Sequence, residues 1–440
     1  MRRFHLRPGG ALRGELRVPG DKSISHRAVM LSALADGRSR ITGFLESADC
    51  LATLHAFEAM GVVFARDGEA LTVDGVGRDG LRAPQAPLDL GNSGTSMRLM
   101  SGLMAGQRFD SRLVGDASLS RRPMARVIEP LRLMGARIDG EEGGRAPLVI
   151  QGGQALNGID YTPPVASAQI KSCVLLAGLY AQGSTRVTEP GISRDHTERM
   201  LSAFGVRIER QARTLAIAGG QSLQAGDVAV PADLSSAAFF MVGASIAEAS
   251  AIVLPGVGIN PTRRGVIDIL GRMGADIRLH DERIQAGEPV ADIEVRSASL
   301  QGIDIGGDEV ELAIDEFPAI FIAAACAEGT TRLTGAAELR VKESDRIAVM
   351  ADGLSQLGVD VSVADDGLTI VGRGAGPVFG GGLIESHDDH RIAMAFAMAA
   401  LRADAPIEID DCDFVDTSFP GFVALASAAG LQIEASEVSS

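Results

Sequence analysis

The chain has 440 residues, with 41 basic against 57 acidic side chains and a formal net charge of −16. Its 46 % hydrophobic and 22 % charged residues form a globular balance that excludes wholesale disorder, and its acidity argues against non-specific nucleic-acid binding. The longest apolar stretch, Ile392 to Leu401, falls well short of the roughly 18 residues of a membrane span, and Cys50, Cys173, Cys326 and Cys412 are too scattered for a zinc knuckle or a disulfide framework.

From the N-terminus, the first ten residues carry arginines with no apolar core behind them, so a secretory signal is not expected and a reducing, cytoplasmic setting is. Asp21-Lys22-Ser23-Ile24-Ser25-His26-Arg27 then opens an apolar helix. An amphipathic segment ending in Met60-Gly61 predicts a helix closed by glycine and followed by a strand of period two. Gly91 to Arg98 opens the next apolar helix, and Gly115 to Met124, with Arg121, Arg122 and Pro123, precedes a helix over Ala125 to Met134. Ser167-Ala168-Gln169-Ile170-Lys171-Ser172 leads another. Asp315 and Glu316 stand before the apolar helix Ala319 to Ala327, where first-turn acids read as capping groups. Arg340 to Arg346 starts the helix that ends at Leu357-Gly358, and Asp388-Asp389-His390-Arg391 opens the apolar helix that follows.

The helix-glycine-strand pattern recurs at Gly61, Gly135, Gly205, Gly274 and Gly358, with a weaker copy at Gly430. Six units of mixed helix and strand are therefore predicted, grouped into compact domains because the apolar helices need covering on most sides.

Several of these helix starts break a local rule. Small polar residues are ordinary N-caps, but Lys22, Arg27 and Arg391 place cations where the helix dipole disfavours them. Such violations mark candidate sites, and helix N-termini flanked by cations suit phosphate or carboxylate. Of the basic residues only Lys22, Lys171 and Lys342 are lysine; the other 38 are arginine. A genome biased toward arginine explains the scarcity, yet not why these three positions keep an ammonium, which a planar guanidinium cannot replace. Glu343 and Arg346 stand at i, i+3, either as a surface ion pair or as a carboxylate in a cationic pocket. His387 and His390 could ligate a metal, but no third ligand stands out.

Pro19 to Arg27, Leu90 to Arg98, Arg122-Pro123, Ser167 to Lys171, Lys342 to Arg346 and Asp389-His390-Arg391 together resemble the 5-enolpyruvylshikimate-3-phosphate synthase family of enolpyruvyltransferases, in order over nearly the whole chain. The resemblance implies a two-lobed, inside-out α/β barrel of six βαβαββ repeats, three per lobe. One lobe would be 1–19 plus 233–440 and the other 20–232, with a hinge near 19–21 and 231–233. It implies transfer of the enolpyruvyl group of phosphoenolpyruvate to the 5-hydroxyl of shikimate 3-phosphate, without metal or cofactor. A monomer is the default expectation, since the sequence shows no exposed apolar patch. Lys22, Ser23, Arg27, Ser167, Ala168, Gln169, Ser193 (or Arg194), Asp315 and Lys342 would hold shikimate 3-phosphate. Lys22, Gly94, Arg122, Gln169, Arg346 and Arg391 would hold phosphoenolpyruvate. Asp315, Glu343 and Lys22 would be catalytic.

Departures accompany the resemblance. Thr417 stands where some members place a phosphate-facing lysine, and Ala168 replaces a second serine. Gly94 stands where glyphosate-insensitive members carry alanine, so inhibition by glyphosate is expected. The sister enzyme acting on UDP-N-acetylglucosamine uses a loop cysteine where this chain has Ala117, and asparagine in place of Ser23. A non-catalytic anion-binding protein of the same fold is the remaining alternative.

Overall fold

The computed structural model describes residues 1–437. Its repeating unit is a strand, a buried helix, a second strand, an amphipathic helix and an antiparallel hairpin. In one copy these are Leu88–Asp89, Gly94–Ala105, Ser111–Val114, Ala125–Leu133, and the hairpin Arg137–Glu141 with Arg145–Gln151. The first two strands run parallel, as a connection through a helix demands. The second pairs antiparallel with the last, which pairs with its hairpin partner. Six sheets follow this order.

The turn after each amphipathic helix explains the glycine period. Gly61, Gly135, Gly205, Gly274, Gly358 and Gly430 all adopt left-handed φ, from 82° to 116°. A side chain there would cost roughly 1–2 kcal/mol, so the helix can reverse into a strand only through glycine.

The chain divides into two compact units. One comprises Met1–Pro19, Pro231–Ile284 and Pro289 onward; the other comprises Gly20–Val230 with the hairpin tip Gln285–Glu288. Each holds three of the six sheets and its own hydrophobic core. Strands alternate in burial, as in Arg145–Gln151, so each sheet turns one face to solvent. The apolar helices lie inside. Leu234–Ile246 and Phe317–Cys326 are buried along their whole length, as helices that are apolar all round must be. Among the described residues no helix is long and apolar enough to cross a membrane.

Two sheets are completed from a distance. Leu223–Gln224 and Asp227–Ala229 add in parallel to Ala35–Thr42, closing the first sheet of the 20–230 unit from its other end. In the other unit, Arg2–Leu6 lies between Ile407–Asp410 and Ile433–Glu437, and Arg13–Glu15 pairs with Ala251–Gly258.

Candidate active site

In the 20–230 unit the three buried helices Lys22–Ala33, Gly94–Ala105 and Ala168–Gly178 each begin at a side-chain cap. Asp21 accepts from the Ile24 N–H, Ser93 from Ser96, and Ser167 from Ile170. Each cap satisfies one orphan donor and leaves the other first-turn N–H groups, with the positive end of the dipole, to an anion. The helix starts are tied to one another. His26 Nδ1 sits 2.8 Å from Thr53 Oγ1 and 3.2 Å from Ser96 Oγ. Arg98 donates to Gln169 Oε1 at 2.5 Å, and Gln169 Nε2 donates to Thr95 Oγ1 at 3.0 Å. Arg27 reaches Ser172 on the third helix at 3.0 Å. Lys22, Ser23, Arg27, Gly94, Ser167, Ala168 and Gln169 are thus carried on linked helix starts.

Arg122 follows the short helix Ala117–Arg121 and donates to Asn92 Oδ1 at 2.7 Å, ahead of Gly94. A Cβ built on Gly94 would lie 3.2 Å from Arg98 Nη1 and 3.4 Å from Arg122 Nη1, so a side chain there would press on the Arg98 guanidinium and reach van der Waals contact with Arg122. The Ser193 hydroxyl donates to Glu189, and its carbonyl lies 3.4 Å from Lys171 Nζ in the first turn of the third helix. Sequence reasoning missed Asp49, whose buried carboxylate is 2.5 Å from Lys22 Nζ. It opens the amphipathic helix Ala48–Ala59, where an acid reads simply as dipole-favoured.

Burial is the main reason the His26 imidazole is held well below its ordinary pKa, with Lys22 and Arg27 adding repulsion. It stays neutral in the folded protein while an unfolded histidine takes a proton below about 6.5. Stability is therefore expected to fall as pH drops through that value, by up to roughly 1.4 kcal/mol per pH unit. Urea unfolding of the protein and of His26→Asn between pH 7.5 and 5 checks this; parallel curves for the two would refute it. Arg27, also buried, is lowered to about 10 and remains charged at neutral pH.

The other unit repeats the arrangement. Its helices Leu234–Ile246, Phe317–Cys326 and His390–Ala399 also have linked starts. The hydroxyl of Ser235 donates to Glu316, Arg263 donates to Ser235 Oγ at 2.6 Å, and Arg391 donates to the Asp315 carbonyl at 3.0 Å. Asp389 caps the last of these helices and takes Arg346 Nε at 2.8 Å. Arg346 also donates to Glu343 Oε2 at 2.7 Å and lies 3.5 Å from Asp315 Oδ1. Lys342 Nζ is 3.3 Å from the same Asp315 oxygen. Asp315, Lys342, Glu343, Arg346 and Arg391 are brought together in one cluster.

One reading of the sequence is corrected here, and one left open by it is decided. Neither Asp315 nor Glu316 caps the helix Phe317–Cys326; Glu316 occupies the cap position without a capping bond, and its side chain turns to Ser235. Glu343 and Arg346 do pair, but Arg346 is fully buried, so the pair is not a surface one. Burial opposes charge on Arg346, yet Asp389, Glu343 and Asp315 outweigh it and raise its pKa. Among the described residues no group of three or more histidine, cysteine or acidic side chains is placed to hold a metal. The Thr417 hydroxyl donates to the Phe414 carbonyl at 2.6 Å.

Fold and sites define an α/β protein of two units, each of three βαβαββ repeats, with cations gathered near the starts of several buried helices, an arrangement suited to anions. The sequence matches the family profile described as EPSP synthase (3-phosphoshikimate 1-carboxyvinyltransferase) over residues 6–425. It is 65 % identical to the 3-phosphoshikimate 1-carboxyvinyltransferase of Alkalilimnicola ehrlichii, covering 98 % of this chain and 96 % of that one. It is 62 % identical to that of Halorhodospira halophila, covering 98 % and 97 %. A solved EPSP synthase from Acinetobacter baumannii superposes with a TM-score of 0.91 at 56 % identity, over 99 % of this chain and 100 % of that one. The chain belongs to the EPSP synthase family.

Proposed function

We propose that this enzyme transfers the enolpyruvyl group of phosphoenolpyruvate to the 5-hydroxyl of shikimate 3-phosphate and releases phosphate. The observation that carries the mechanism is the cluster of carboxylates among cations: Asp315 beside Lys342 and Arg346, with Glu343 on the same guanidinium. Asp315 takes the proton of the 5-hydroxyl as that oxygen bonds to C2, and Glu343 gives a proton to C3. The tetrahedral adduct then loses phosphate, which leaves with a proton from Lys22, and the C3 proton returns to Glu343 to restore the double bond; the hydroxyl proton held by Asp315 passes through solvent to reprotonate Lys22. Arg122, Arg346 and Arg391 hold the phosphoenolpyruvate anion with Gly94 and Gln169, their charge matching what develops in the transition state. Lys22, Ser23, Arg27, Ser167, Ala168, Gln169, Ser193, Asp315 and Lys342 hold shikimate 3-phosphate. No cofactor enters this scheme.

A cytoplasmic monomer is part of the proposal, and its reducing setting is supported by four cysteines that are all free and buried. The test is phosphate release from phosphoenolpyruvate in chelator, with shikimate 3-phosphate or UDP-N-acetylglucosamine as acceptor. Release with the first acceptor alone is expected. Ala117, the first residue of its short helix, offers no thiol to the sugar-nucleotide reaction. Release with the sugar nucleotide would move the chain to the sister activity, and release with neither would leave a binding protein.

Glyphosate is expected to inhibit, and Gly94→Ala to weaken that inhibition. The added methyl would press on the Arg98 guanidinium and touch Arg122, taking space beside the phosphoenolpyruvate anion, and the inhibition constant is expected to rise about tenfold, or about 1.4 kcal/mol. Equal inhibition of the two proteins would reject the assignment of Gly94 to the phosphoenolpyruvate pocket.

A further inference from the structure

Arg27 is a buried cation whose orientation is set from another helix. The helix His196–Ala203 begins with three buried side chains in succession, His196, Thr197 and Glu198. Arg27 Nε donates to Thr197 Oγ1 at 2.7 Å and Nη2 donates to Ser172 Oγ at 3.0 Å, while Nη1 donates to the Ser23 carbonyl at 2.8 Å. The hydroxyls are 2.6 Å apart, and Ser172 donates to the Ala168 carbonyl at 2.5 Å.

The protons settle the direction of this chain. With the Ser172 proton on the Ala168 carbonyl, the short contact requires Thr197 to donate to Ser172. Both hydroxyls therefore turn lone pairs toward the guanidinium, and three of its five N–H donors are fixed, leaving two for a ligand. The turn carrying Thr197 is itself held on both sides. His196 Nδ1 is 2.7 Å from Glu288 Oε1, and Glu198 Oε1 is 2.7 Å from the buried ammonium of Lys171. Lys171 and Ser172 are adjacent on the helix that starts at Ala168, so one segment supports the turn and meets the arginine.

We propose that Thr197, with Ser172, is a positioning residue for shikimate 3-phosphate: their two hydroxyls orient the Arg27 fork toward the substrate anion. The inference rests on the reading of Arg27 as a shikimate 3-phosphate ligand. Neither hydroxyl need touch substrate, and neither moves a proton in the reaction.

The test is Thr197→Val, which keeps the branched shape and removes the acceptor, leaving the Arg27 Nε donor buried and unpaired. Calorimetric titration with shikimate 3-phosphate is expected to show an affinity about ten- to hundredfold weaker. The KM for phosphoenolpyruvate should stay within about twofold, and Thr197→Ser should restore affinity, which a general loss of packing would not allow. Should Thr197→Val fail to fold, Ser172→Ala is read in its place and is expected to show the same selective loss. Unchanged affinity in the variant, equal losses for both substrates, or a serine that fails to rescue would each overturn the proposal. Wild-type phosphate release with shikimate 3-phosphate, measured alongside, separates the two levels: its absence removes the underlying reading, whereas its presence with no selective loss removes Thr197 alone.

Discussion

Replacing Asp315 by asparagine is expected to lower the turnover of phosphate release by about 10²–10⁴-fold, the range a lost general base commands. Asparagine keeps the shape of the side chain and its carbonyl but cannot take the hydroxyl proton. Lys342 retains access to water, at 24 % exposure, and Arg346 keeps Asp389 and Glu343, so the fold should survive with little change in its unfolding midpoint. The KM for phosphoenolpyruvate should move far less than kcat, whereas the KM for shikimate 3-phosphate, which Asp315 also holds, should rise. Turnover within about threefold of the parent would take Asp315 out of the proton transfer.

Arg346→Met is expected to have the largest effect on stability. Asp389 is wholly buried and its carboxyl, though burial opposes ionisation, is kept ionised by Arg346. Removing the guanidinium strands that charge beside Glu343, and breaking such a pair from one side costs about 3–5 kcal/mol. The double variant Arg346→Met/Asp389→Asn should recover most of the lost stability without recovering the use of phosphoenolpyruvate. Urea unfolding of the single and double variants gives the coupling directly. Additive losses would show that Asp389 does not depend on Arg346.

These expectations differ in how far the sequence reveals them. The six repeats are legible because the glycine at each helix end is a local demand of the backbone, and all six residues adopt the left-handed conformation it requires. The helix starts are legible because cations at a dipole's positive end contradict local preference, and Lys22 and Arg391 do stand there, while Arg27 lies one turn further in. The partners of those cations are not legible. Asp49, Asp389 and Thr197 each look like ordinary first-turn or capping residues, and only tertiary packing sets them against Lys22, Arg346 and Arg27. Spacing leaves Glu343 and Arg346 undecided, because i, i+3 fixes that they meet but says nothing of burial.

Lys171 shows both sides of this. Its persistence in an arginine-rich chain is visible in the sequence, but its reason is not. The Nζ atom lies 2.9 Å from Glu189, 2.7 Å from Glu198 and 3.4 Å from the Ser193 carbonyl. Three acceptors around one point suit the three protons of an ammonium, and a flat guanidinium would not fill that space. Burial raises the Glu198 pKa while Lys171 opposes the shift.

The far-reaching strand pairings impose an order on synthesis. Phe4 pairs with Ile409 and with Ala435, so the first strand leaves the ribosome long before either neighbour exists. The chain from Gly20 to Val230, by contrast, contains all but a four-residue hairpin tip of its unit, and its first sheet closes when Asp227–Ala229 emerges. Domains generally fold as units during translation, N-terminal first. Here the unit encoded in the middle is completed first, and the leading strands must be kept from other edges until the final repeat arrives.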